Sequence, residues 1–296
     1  MNPLSWLALA AIVVAVAYSA WRRALLSLTL AIAIVVVYLL EYVSQLVPSF
    51  GRRVFWDLAW SYLPGYLVSP PWTIATTIFV HSGLFHLMFN LLGLLLITPV
   101  LEERIGTLRW GFVFFLGAMF GQLVFWIARY GEPFVLVGAS GGLMAVLGAF
   151  ARLYPRERVT LFLPIPGLPA VPVIWLAIVY LLLSFALFAS PLGGIAYEAH
   201  IGGLAFGLVA APLIMRVPAG RAPAKLAALN VGALGPLATT RELRQILEEL
   251  KAADMAEVRT AWLEKFAAKA KCPTCGGPLR YRRGRLASKC GWRQPV

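Results

Sequence analysis

Two stretches of this chain, GASGGLMAVLGAFARLY at residues 138–154 and EAHIGGLAFGLVAAPLIM at residues 198–215, decide its fold. Each is largely apolar and carries small residues four apart: Gly141, Ala145 and Ala149 in one, Ala199, Gly203 and Gly207 in the other. Residues at that spacing share a helix face, and a stripe of small residues lets two helix backbones approach closely in lipid. Both stretches therefore read as membrane-spanning helices that pack on each other. Five more, at roughly 3–20, 24–46, 82–101, 108–129 and 171–190, approach the ~20 apolar residues a span requires. The expected architecture is an all-α polytopic membrane protein of seven spans.

Composition leads to the same class. Of 296 residues, 60% are hydrophobic and 13% charged, with a mean hydropathy of +0.78, against about a quarter charged in soluble domains. A soluble enzyme and a disordered chain are excluded. The net charge of +13 is uneven: residues 1–216 hold eleven Arg, no Lys and seven acids, while 217–296 hold fifteen Lys and Arg and six acids. Placing the turn at Arg22-Arg23, the loops at 102–109 and 152–158, and Arg216 in the cytoplasm puts eight Arg inside and leaves Arg52, Arg53 and Arg129 outside. Basic loops stay cytoplasmic, so the N-terminus is expected outside and the tail inside, in a cell (plasma) membrane. The aromatic-rich, proline-broken stretch 47–81 reads as a long loop half-sunk in the outer leaflet. Nucleic-acid binding is not expected.

The chain has three histidines, His81, His86 and His200. Ionisable residues in spans are expensive and point to function. His86 and Asn90 are i, i+4 and share a helix face, whereas a helical repeat through His81 would set it about 140° from His86. The spans that begin at Ser140 and near His200 run in the same direction, so packing their small-residue stripes brings serine and imidazole within reach at shallow depth. A serine against an imidazole is the minimal activated nucleophile. Glu198, two residues from His200, points to another face, so a dyad is expected rather than a triad.

The set H-x4-H-x3-N (His81, His86, Asn90), G-x-S-G (Gly138 to Gly141) and A-H-x2-G-x3-G (Ala199-His200, Gly203, Gly207) resembles the rhomboid family of intramembrane serine proteases. Glu102 and Arg104 resemble that family's E-x-R element. The resemblance covers roughly residues 24–216 and implies a six-helix core, to which residues 1–23 add one N-terminal helix. It also implies Ser140 as nucleophile, His200 as base, an oxyanion hole from His86, Asn90 and the Ser140 backbone N–H, and structural roles for Glu102 and Arg104. Catalysis would need no cofactor. The partners would be the lipid bilayer and single-span membrane proteins, cleaved near the outer leaflet through an acyl-enzyme. The competing class is a non-catalytic membrane adaptor or quality-control binder.

Beyond Arg216, residues 217–238 read as a mostly unstructured linker. Residues 239–271 read as an amphipathic helix or helical hairpin, opened by a capping-box pattern at Thr239 and Glu242, which either packs in a small domain or docks on the membrane surface. Residues 272–296 read as a zinc-ribbon-like knuckle built on Cys272, Cys275 and Cys290. Ala287 stands where a fourth cysteine would be expected, and structural zinc takes four protein ligands. Zinc is therefore expected to bind weakly or not at all, with Leu279, Tyr281, Leu286 and Trp292 carrying the fold.

Overall fold

The computed structural model describes residues 1–47, 53–63, 67–159, 170–188, 196–219, 231–252, 256–282 and 284–296, and divides into two units, Met1–Pro223 and Ala224–Val296. In the first unit a helix occupies each expected span. They are α1 (Pro3–Arg22), α2 (Leu26–Leu46), a composite third span, α7 (Thr107–Ala128), α8 (Ser140–Leu153), α9 (Val173–Phe188) and α10 (Tyr197–Ile214). Two short helices, α3 (Val54–Leu58) and α4 (Thr73–Thr76), precede the third span, which is itself built from α5 (Leu84–Leu92), a π-helical turn at Gly93–Ile97, and α6 (Thr98–Ile105). Among the described residues, five helices are long and apolar enough to cross a membrane. The chain is a multi-pass helical membrane protein. Large apolar side chains such as Trp6, Val13, Phe85, Phe89 and Val209 stay exposed, which lipid makes favourable rather than costly.

Helix α8 departs from the pattern. Fourteen residues rise only about 21 Å, less than the ~30 Å hydrocarbon core. Its neighbours fit it backbone to backbone. A Cβ on Gly203 would collide with the Gly141 carbonyl, one on Gly207 with the Ala145 carbonyl, and one on Gly148 with the Leu204 carbonyl. Helix α7 packs equally closely, Gly121 against the Ala199 carbonyl and Gly117 against Ala145.

Two polar residues fasten the rest of this unit. The buried Glu102 carboxylate accepts from the backbone N–H groups of Leu26 (2.6 Å) and Ser27 (2.8 Å). These donors open α2, where the first turn has no partners of its own. Arg104 pairs with Glu157 at 2.9 Å on a half-exposed surface.

The stretch read as an outer-leaflet loop holds more order than its sequence suggests. Besides α3 and α4, strand β1 (Trp60–Leu63) pairs with β2 (Leu67–Val68) and, antiparallel, with β3 (Phe134–Leu136), giving the sheet order β2-β1-β3. Trp60 faces Leu136 and Tyr62 faces Phe134 across the register. The partner strand lies some seventy residues away in the chain, so no local pattern announces it. A further short antiparallel pair joins β4 (Arg158–Val159) to β5 (Val171–Pro172).

In the second unit a 3-10 turn (Val231–Leu237) leads to α11 (Arg241–Ala252) and α12 (Ala256–Lys269), then to the antiparallel sheet β6 (Leu279–Arg282), β7 (Arg285–Ser288) and β8 (Arg293–Pro295). The expected linker is therefore corrected at its end. Leu234 and Leu237 are buried with Leu243, Ile246, Leu250, Leu263 and Phe266, because these apolar residues complete a core that the two helices alone leave open. Residues 220–230 of that linker, and 48–52 and 64–66 of the loop, lie outside the described residues.

Candidate active site

Ser140 opens α8 directly after Gly138-Ala139. Gly138 has φ +116°, a region that disfavours any side chain, and a Cβ there would stand 2.6 Å from His86 Nε2. The glycine thus lets the turn pass beside the imidazole. The turn is pinned from behind by Thr77, whose carbonyl accepts from the Gly138 N–H at 3.0 Å and whose hydroxyl donates to the Leu136 carbonyl. That hydroxyl also accepts from the Trp60 N–H at 3.2 Å, so the small sheet and the serine turn form one piece.

His200 lies in the first turn of α10. Its Nε2 is 2.6 Å from Ser140 Oγ, a hydrogen bond between half-buried groups. The contact follows from the close approach of α8 and α10, since each side chain sits where its glycine stripe begins. Tyr197, one turn earlier, stands edge-on to the imidazole with ring centroids 6.5 Å apart. Glu198 faces elsewhere: its carboxylate accepts from Arg129 Nε at 2.6 Å, tying the start of α10 to the end of α7.

The other two histidines sit together. The helical repeat used for His81 does not apply, because α5 begins only at Leu84 after the extended Gly83. The chain turns at Ser82-Gly83 instead, and the His81 and His86 rings meet edge to face at 5.0 Å. His81 is fully buried. The Ser82 backbone N–H donates to His86 Nδ1 at 3.4 Å, and its hydroxyl lies 3.1 Å from the same atom. An accepting Nδ1 puts the ring proton on Nε2, the nitrogen beside Gly138. Asn90 Nδ2 donates to the His86 carbonyl at 2.8 Å, which among the described residues leaves the second hydrogen of its amide unspent. Sequence reasoning missed Thr77, Ser82 and Tyr197. Ser82 was within reach of it, being four residues from His86, whereas Thr77 acts through a sheet that no local pattern reveals.

The tail cysteines form a second cluster. Their sulfurs lie within 4.8 Å of one another, Cys272 Sγ being 3.6 Å from Cys290 Sγ and Cys275 Sγ 3.4 Å from the Ser288 hydroxyl. Burial opposes the Cys272 thiolate, but the backbone N–H groups of Cys275 and Thr274 outweigh it and hold the thiol down at about 6. The Ser288 hydroxyl and the Gly277 N–H lower Cys275. The Trp292 N–H favours the Cys290 thiolate, but the neighbouring sulfurs outweigh it and raise that thiol.

The family model described as Rhomboid domain matches residues 69–217. Among curated proteins, the chain is 26% identical over 189 residues to "Rhomboid-like protease 3" of Toxoplasma gondii, covering 64% of this chain and 68% of that one. It is 28% identical over 168 residues to "Rhomboid protein 1, mitochondrial" of Saccharomyces cerevisiae, covering 52% and 47%. It is 35% identical over 83 residues to "Inactive RHOMBOID-like protein 8" of Arabidopsis thaliana, covering 27% and 24%. The last two matches span less than half of each relative's own length. The segment matched by the family model, residues 69–217, contains the serine turn, both helices of the glycine contact and all three histidines.

Proposed function

The chain belongs to the rhomboid family, and from that premise we propose that it is an intramembrane serine endopeptidase acting through Ser140 and His200. The observation that carries the reading is the 2.6 Å contact between Ser140 Oγ and His200 Nε2. Ser140 Oγ attacks the scissile carbonyl carbon while His200 Nε2 takes its proton, which gives a tetrahedral intermediate and an imidazolium. The oxyanion forms beside the Ser140 backbone N–H, the free amide hydrogen of Asn90 and the Nε2–H of His86. Preorganised donors of this type contribute about 3–4 kcal/mol each. Collapse breaks the C–N bond, His200 returns the proton to the leaving amine, and an ester to Ser140 remains. A water, deprotonated by His200, then hydrolyses that ester and restores the serine.

The short span of α8 supports a recessed but wettable site, since one end of a helix of about 21 Å falls inside the bilayer. The substrates are single-span membrane proteins whose helix opens near the outer leaflet, with small residues at the cleaved bond because closely packed helices leave little room. The site faces the extracytoplasmic side of the plasma membrane, and the basic tail is cytoplasmic. A non-catalytic binder is disfavoured because serine and imidazole are both present and in contact, although one relative is named inactive.

Cleavage of a reconstituted single-span substrate by wild type and by Ser140→Ala tests the reading: the variant has none, and retained turnover would refute the nucleophile. Orientation has its own test. In a chain whose native cysteines are changed to serine, Gly131→Cys reacts with an impermeant thiol reagent from outside and Arg156→Cys does not. The reverse pattern would invert the topology.

A further inference from the structure

The second unit ends in two turns of the same kind. In the first, Cys272 N–H donates to the Gly277 carbonyl (2.8 Å), the Gly276 N–H donates back to the Cys272 carbonyl (2.9 Å), and Gly276 has φ +66°. In the second, Ser288 N–H donates to the Trp292 carbonyl (3.0 Å), the Gly291 N–H donates back to the Ser288 carbonyl (3.2 Å), and Gly291 has φ +90°. Cys275 precedes one left-handed glycine and Cys290 the other. By its hydrogen bonds, Ser288 stands in the second turn where Cys272 stands in the first, although the second turn is one residue shorter. The C-x2-C spacing had pointed to Ala287. Successive strand residues face opposite sides, so with the Ser288 hydroxyl at the end of β7 3.4 Å from Cys275 Sγ, the preceding Ala287 points away.

We propose that Cys272, Cys275 and Cys290 hold one zinc ion as a three-thiolate site whose fourth corner, on the Ser288 side, is open to water or an incoming donor. The sulfur positions fit. Zinc–sulfur bonds of about 2.3 Å in a tetrahedron set the sulfurs about 3.8 Å apart, and here they lie within 4.8 Å, with one pair at 3.6 Å. The donor set fits as well, since thiolates select zinc over magnesium or calcium. Cys272 is also buried among Leu263, Phe266, Leu279 and Leu286, so the ion fastens the end of α12 to the β6–β7 sheet. A hydroxyl in place of a fourth thiolate makes the site exchangeable, because closed structural sites use four protein ligands.

The test uses the full chain purified in detergent, with zinc alone as the ligand and a chromophoric chelator as competitor. The expected result is one zinc per chain, withdrawn by excess chelator and lost in Cys290→Ser. Ser288→Cys closes the site and tightens binding about a hundredfold, whereas Ala287→Cys changes affinity less than about threefold because its thiol faces the other side. Both of these variants add a thiol and keep all three native cysteines, so neither outcome depends on removing a residue the tail needs to fold. Absence of stoichiometric zinc in wild type, zinc that survives excess chelator, or tightening by Ala287→Cys but not by Ser288→Cys would each overturn the proposal.

Discussion

In the membrane unit, Ser140 and His200 meet because the backbones of α8 and α10 touch; in the tail unit, three thiols converge because two glycine turns fold back on a small sheet. The first arrangement is made by packing, over two whole helices, and needs no ligand to hold it. The second is made by local backbone geometry and leaves one corner without a protein thiolate. The contrast separates what each site tolerates. A helix contact fails when any residue along its stripe grows, whereas a turn fails only at the residue that adopts the special dihedral angle.

The most damaging substitution is one that breaks the helix contact itself. Gly207→Leu drives a side chain into the Ala145 carbonyl and Ala149 N–H, removing all cleavage and lowering stability by about 3 kcal/mol or more, read by thermal unfolding in detergent. Wild-type turnover in that variant would mean that the two backbones do not touch. His200→Ala leaves the packing intact and removes only the base. Cleavage then falls by about 10⁶ with an unchanged melting temperature. His86→Ala and Asn90→Ala each lower turnover by about 10²–10³ while leaving some cleavage, which single-turnover kinetics distinguish from loss of the dyad. On the other side of the comparison, Gly276→Ala strains one left-handed residue. It costs the tail unit about 1 kcal/mol and weakens zinc binding about fivefold, measured by chelator competition.

The same contrast explains what could be read in advance. The seven apolar segments and the two small-residue stripes are local patterns, and the stripes alone place Ser140 near His200, since helices pack along them. The His86–Asn90 pair is legible for the same reason, as i, i+4 on one helix. Sheet β2-β1-β3 was not, because β1 and β3 meet across a long sequence separation, and with it went the role of Thr77 behind the serine turn. His81 was misplaced because a helical period was extended through Ser82-Gly83, where the backbone is not yet helical. In the tail, cysteine spacing located the cluster but named Ala287 rather than Ser288 as the fourth position. Strand direction and the length of a turn decide that choice, and spacing carries neither.

If Ser140 is a nucleophile activated by His200, a serine-directed fluorophosphonate will label it, with no knowledge of any natural substrate required. Wild-type protein in detergent should be labelled at one site, and Ser140→Ala, folded to the same melting temperature, should not be labelled at all. His200→Ala should be labelled far more slowly, because the hydroxyl keeps its proton. Equal labelling of wild type and Ser140→Ala would contradict the claim.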